Sequence, residues 1–157
     1  FVAQRTIVHG ISMEPTLHNG DQLIVEKLTT RFGKLRYGDI ITVYIPEELG
    51  EGKDYIIKRV IGVEGDTVEI KNNKIYLNGE PLEEDYINGD TTLPVNPEYS
   101  KVIVPEGQVY AVGDNRLPGA SKDSRSIGPI DVERIKGRAL IRFFPFDKFK
   151  VFKRFDR

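Results

Sequence analysis

The sequence contains no cysteine. Disulfides, thiol nucleophiles and cysteine-based zinc sites are therefore excluded, while the redox compartment stays open. There are two histidines, His9 and His18. No His/Asp/Glu cluster has metal-ligand spacing, so neither a metal nor another cofactor is expected. No apolar run approaches the length of a membrane-spanning helix. Charge of neither sign dominates: the net charge is −1, which offers no electrostatic footprint for nucleic acid. The chain opens on Phe1 rather than methionine, and the expectation is that a segment upstream has been removed.

What is present suits a globular domain. The 157 residues are 39% hydrophobic and 30% charged, enough to bury a core without staples. The runs QLIVEK (22–27), DIITVYI (39–45), YIIKRVIGV (55–63) and ALIRFF (139–144) are short, β-branched or aromatic, and bounded by turn residues. TVEIKNNKIYL (67–77) reads as a hairpin turning at Asn72-Asn73, with a second turn at Asn78-Gly79. Residues 80–100 are polar and rich in Pro, Gly and Asn, a loop-rich stretch. Residues 131–135 fit one helical turn with Asp131 as N-cap. The predicted fold class is all-β. Mainly antiparallel strands should form a barrel-like or sandwich core from about 1–70 and 108–157, with a small β-rich, loop-containing insert at about 71–107.

Three stretches can carry chemistry. In GISMEPTL (10–17), Pro15 fixes the turn just after Ser12. A serine so held can present both its hydroxyl and its own N–H to one carbonyl, as nucleophile and oxyanion donor. Gly10 allows close backbone approach, and Ile11 and Met13 offer an apolar surface for an extended peptide. In IIKRVIG (56–62), alternation puts Lys58, Val60 and Gly62 on one face and Ile57, Arg59 and Ile61 on the other. A lysine pointing into such a core loses solvation, and its amine becomes a usable base for Ser12 within hydrogen-bond reach. In GDNRLPGASKDSRSIG (113–128), Asp123 and Arg125 can brace each other while Ser121 reaches a catalytic group. Taken singly, each pattern also fits a plainer structure: a strand-end serine, an edge-strand lysine that snorkels to water, a surface turn cluster. The histidines are poor partners for Ser12. The odd separation of His9 from Ser12 would point them apart along a strand, and His18 sits in a polar turn. The closing stretch FFPFDKFKVFKRFDR (143–157) can touch a membrane surface, but reads foremost as a strand end with a frayed tail.

Together these blocks resemble type I signal peptidases. The resemblance rests on Gly10, Ser12, Met13, Pro15 and Thr16, then Gly38-Asp39-Ile40, then Lys58, Arg59, Ile61, Gly62, Gly65 and Asp66. It ends on Gly113-Asp114-Asn115 with Ser121, Asp123, Ser124 and Arg125. The blocks occur in family order. The resemblance implies Ser12 as nucleophile, Lys58 as general base, Ser121 orienting the lysine, and Asp123, Arg125 and Gly113 as support. It implies a membrane anchor before residue 1, a catalytic domain outside the cytoplasm, and contact with the lipid surface. The substrates would be signal peptides of exported preproteins, surface-fibre subunits among the possibilities, cut by a monomer after a small residue. The short insert and absent cysteines look like the Gram-positive branch. Two features depart from the pattern: Gly10 stands where some relatives carry an oxyanion-stabilising serine, and the Leu117-Pro118-Gly119-Ala120 spacer before Ser121 is long. Two alternatives share the chemistry or the frame, a self-cleaving repressor domain with a serine-lysine dyad and a non-catalytic assembly factor for surface structures.

Overall fold

The computed structural model describes residues 3–27 and 35–155. Its strands are β1 (Ala3–Ile7), β2 (Gln22–Glu26), β3 (Ile40–Tyr44), β4 (Tyr55–Val63), β5 (Thr67–Lys71) and β6 (Lys74–Leu77). They continue with β7 (Glu80–Pro81), β8 (Lys101–Ile103), β9 (Gln108–Val112), β10 (Ile130–Asp131), β11 (Ile135–Phe144) and β12 (Lys150–Val151). Among the described residues the α-helices are single turns, α1 (Pro46–Leu49) and α2 (Ser124–Ile127). None of them is long and apolar enough to cross a membrane. The larger sheet runs β1-β2-β11-β3-β4-β9-β10, with β12 added on β11, and the smaller runs β7-β6-β5-β8. Every ladder is antiparallel. The chain is therefore all-β, as its short β-branched runs and dense turn signals require.

Three apolar clusters hold the sheets together. Ile41, Val43, Ile56, Val60 and Ala111 centre the first. Ile61, Tyr110 and Val112 of the large sheet meet Val68, Ile75 and Leu77 of the small one in the second. Met13, Leu17, Leu23, Val25, Ile40 and Ile57 form the third. Strand β4 contributes to all three, so it is buried on both faces from Ile56 to Gly62. Its alternation holds as far as Val60; a bulge against β9 then shifts the register before Gly62. Because β3 and β9 flank it, β4 is a central strand and not the edge that would let a lysine snorkel to water.

The hairpin at Asn72 and Asn73 forms as expected, both residues taking positive φ. Two local expectations change. Asp131 does stand at the N-cap of a 3-10 turn, Val132–Arg134, but its carboxylate accepts from Gln108 Nε2 at 3.0 Å instead of capping it. The closing stretch is not frayed through residue 155. It turns back at Phe146–Lys148, pairs β12 with β11, and Phe152 N donates to the Leu140 carbonyl at 2.8 Å. Arg154 then grips both Asp39 oxygens at 3.1 and 2.9 Å. Phe155 packs on Gly38, whose missing side chain makes the room, and stacks on Tyr86 with centroids 6.1 Å apart. Aromatic burial and a bidentate ion pair outweigh the entropy of leaving this tail free. Asp156 and Arg157 lie outside the described residues.

Candidate active site

Ser12 lies in the turn between β1 and β2. The turn is anchored from below by Met13 and Leu17, both buried in the third cluster. It is closed by backbone bonds from Glu14 N to the Ile11 carbonyl and from Leu17 N to the Met13 carbonyl. It is clamped from the side by the segment after β9. Asn115 N donates to the Ser12 carbonyl at 2.9 Å and Asn115 Nδ2 to the Ile11 carbonyl at 3.0 Å. Thr16 Oγ1 donates to Asp114 Oδ2 at 2.5 Å. Gly10 takes φ 86 with open space around it, so glycine is needed there for the turn and not for close approach. The clamp uses the serine's carbonyl. Among the described residues, neither its hydroxyl nor its own N–H has a hydrogen-bond partner.

Lys58 stands on β4 opposite Ile41, at 2% exposure. Arg59 pairs with Val112 on the other side, so Gly113 continues β9 alongside Lys58. Burial lowers the Lys58 pKa from 10.5 to about 8, against the opposing pull of Asp123, with Arg125 adding to the lowering. No described residue hydrogen-bonds its amine. The expected Ser12–Lys58 hydrogen bond is thus open in this conformation.

Gly113 is where the parts meet. A Cβ on it would strike Ser121 Oγ and come within 2.6 Å of the Ser12 carbonyl oxygen. Its N–H donates to Asp123 Oδ2 at 3.0 Å, and Ser121 Oγ donates to the same oxygen at 2.6 Å. Ser121 therefore orients the carboxylate that faces Lys58 and does not bond the lysine itself. The long spacer does not displace it: Leu117 to Ala120 turn outward, leaving Leu117 exposed. Arg125 forks onto Asp123 through Nε and Nη2, each at 2.9 Å. The first turn of α2 adds the Arg125 N–H to Asp123 Oδ1 at 3.1 Å. Burial alone would push Asp123 up. Arg125, Ser121 and the Gly113 amide instead hold it below the usual carboxylate range.

The sequence reading matched Arg59 and Asp114 to a family block without giving them a task. Arg59 forks onto Asp114 at 2.9 and 2.7 Å, and through Asp114 it holds Thr16 and the serine turn. Arg116, which the sequence motifs leave without a role, also joins the site. Its Nε donates to the Gly113 carbonyl at 2.7 Å, and its fork grips Glu84 at 3.0 and 2.7 Å, tying the loop-rich stretch to the site. The Arg that follows Gly-Asp-Asn was the available signal. Of the apolar residues expected to be exposed beside Ser12, Ile11 is 53% exposed but Met13 is 1% exposed, because the turn needs it as an anchor. His9 and His18 are exposed. A groove of about 510 Å³ borders His9, with Thr42 and Ile57 on β3 and β4 and Gln4 to Ile7 on β1. Among the described residues β1 pairs with β2 alone, which leaves its other edge without a strand partner.

On this all-β frame Lys58 is buried, and Ser12 is clamped through its carbonyl with its hydroxyl unbonded among the described residues. The sequence matches the family "Signal peptidase, peptidase S26" over residues 1–144, and the chain belongs to it. It is a serine peptidase of the signal peptidase I type. It is 43% identical over 149 residues to probable signal peptidase I-1 of Synechocystis sp., covering 92% of this chain and 73% of that protein. It is 34% identical over 157 residues to signal peptidase I of Bacillus licheniformis, covering 96% and 81%. It is 36% identical over 166 residues to signal peptidase IB of Staphylococcus aureus, covering 96% and 82%. The crystal structure of a signal peptidase I from Enterococcus faecalis V583 superposes with a TM-score of 0.54 at 31% identity, over 67% of this chain and 96% of that one.

Proposed function

We propose that this chain removes signal peptides from exported preproteins, cutting after a small residue, with Ser12 as nucleophile and Lys58 as general base. The observation that carries the reading is Lys58: a residue 2% exposed, its amine brought to a pKa of about 8, in line with the glycine against which Ser12 is clamped. An ordinary lysine near 10.4 would be almost wholly protonated at pH 8 and unable to act. Neutral Lys58 takes the proton as Ser12 Oγ attacks the scissile carbonyl. The Ser12 N–H stabilises the oxyanion. The ammonium returns the proton to the leaving amine, leaving an acyl ester on Ser12. Lys58 then deprotonates the water that attacks this ester and reprotonates Ser12 Oγ. An extended substrate would lie in the groove beside Ile57, along β1, which has no second strand partner among the described residues.

Membrane association follows the same reading. The turn between β11 and β12 exposes Phe146 and Phe149 next to Lys148 and Lys150, a mixture suited to the lipid–water interface. An anchor upstream of residue 1 would hold the site there.

The test is cleavage of a synthetic signal peptide in detergent. The wild-type chain should cut once, after a small residue, with kcat/KM rising through pH about 8. Ser12→Ala should be inactive. Lys58→Arg should be equally inactive despite its charge, because guanidinium does not deprotonate in this range. Near wild-type cleavage by Lys58→Arg would sink the dyad.

A further inference from the structure

The groove beside the site has a one-sided charge. Its lining includes Arg5, His9, Lys27 and Lys136 and no carboxylate, in a chain whose net charge is −1. Arg5 and Lys136 have no ion-pair partner among the described residues. The nearby Glu26, opposite Ala3 in the β1–β2 ladder, is buried and accepts from Arg138 Nε at 3.1 Å, so its charge is already matched. Lys136 projects from β11 over the Tyr44 ring, 5.6 Å from its centroid, and Tyr44 packs against the exposed Tyr55 at 5.4 Å. An aromatic wall therefore supports the ammonium at the rim. Arg5 lies on β1 across the groove, and the closed surface between them is Thr42 and Ile57.

Both walls lead to the reacting groups. β1 ascends in number toward Ser12 and β4 ascends toward Lys58, so a segment laid between them has its scissile bond at one end and Arg5 and Lys136 farther along. In an extended segment alternate side chains point to opposite faces. One set meets the Thr42–Ile57 surface and the other meets the rim. We propose that Arg5 and Lys136 select substrates by charge, favouring an acidic residue in the rim-facing set near the cleavage site and rejecting a basic one there. The inference rests on the signal-peptide-cleaving reading and adds to it a specificity that small-residue pockets do not supply. Both cations are solvent-accessible, so the discrimination is moderate and screened by salt.

The experiment uses the whole chain and peptides identical except for Asp, Ala or Lys at one position at a time on either side of the scissile bond. Wild type should cleave the Asp peptide about five- to tenfold faster in kcat/KM than the Lys peptide at one or more flanking positions. The ratio should collapse in about 1 M salt, where the Debye length is ~3 Å. The readout is the Asp-to-Lys ratio within each enzyme, which is independent of its basal rate. Arg5→Glu with Lys136→Glu should invert the ratio, and Arg5→Gln or Lys136→Gln alone should narrow it. A wild-type ratio within about twofold of unity at every position overturns the proposal. So does a charge-reversed enzyme that keeps the wild-type order. If wild type cleaves none of the peptides, the parent reading falls and takes this one with it, an outcome distinct from cleavage without charge preference.

Discussion

Replacing Lys58 with methionine should make the protein more stable and inactive at once. The side chain is 2% exposed and its pKa is about 8, against 10.5 when solvated. That gap of about 2.5 pH units corresponds to roughly 3 kcal/mol, the cost of carrying a protonated amine into the core. The pH window follows from the direction of the shift. Above pH 10.5 the amine is neutral folded and unfolded, and the cost vanishes. Between 10.5 and 8 the unfolded chain binds a proton that the folded chain does not, so stability falls as pH falls. Below about 8 both forms are protonated and the full cost remains. Methionine has similar length and no charge, and it fits an apolar strand position. It leaves no orphan behind, because Asp123 keeps Arg125, Ser121 and the Gly113 amide. The gain of Lys58→Met should be about 3 kcal/mol at pH 7 and near zero at pH 10.5. Urea unfolding followed by far-UV circular dichroism suits the measurement, since the chain has no tryptophan. Other titrating groups are common to both proteins and cancel in the difference. A gain independent of pH, or a variant less stable at pH 7, would refute the account of Lys58 as a buried, destabilising amine.

Arg125→Ala should lower stability by about 3–5 kcal/mol, because it leaves the fully buried Asp123 carboxylate without its cation. Thermal melts at pH 7 read this, and an unchanged melt with lost activity would instead place Arg125 in the chemistry. Gly113→Ala should cut kcat about a hundredfold with a smaller loss of stability, since the new methyl displaces Ser121 Oγ and the Ser12 carbonyl, and misplacements of about 1 Å cost that much. Steady-state kinetics beside a melt separate the two effects, and wild-type kcat would show that Gly113 does not set the serine's position.

How far the fold is legible depends on the element. Strand β4 is legible residue by residue, because eight of its nine residues are β-branched, aromatic or charged and they sit between clear turn signals. The hairpin at Asn72 and Asn73 is legible because positive φ selects asparagine. Strand β9, QVYAV, is not: it is a short buried run without alternation, which periodicity alone cannot assign. Strand β1 is largely exposed, and its extended form comes from pairing with β2 rather than from its own pattern. The candidate pair Ser12 and Lys58 is legible as residue types, whereas their surroundings are tertiary. Whether Met13 faces inward depends on the path of a turn held by residues 98 or more positions away. The Arg116–Glu84 fork spans 32 positions and no local pattern announces it. The tail was misread for the same reason: nothing near Phe155 in the chain reveals the space above Gly38 that receives it.

Strand β4 feeds side chains to all three apolar clusters while it carries Lys58. Lys58 therefore has no private opening mode. Partial melting that wetted Lys58 would have to strip all three clusters, which is global unfolding. A functional group whose pKa depends on dryness is best placed on the element that opens last, and the serine turn, anchored in one cluster, is free to be the more yielding half of the pair. Heat or denaturant should then switch the amine off together with the fold, with no populated state in which the frame stands and the lysine has regained its solvent pKa.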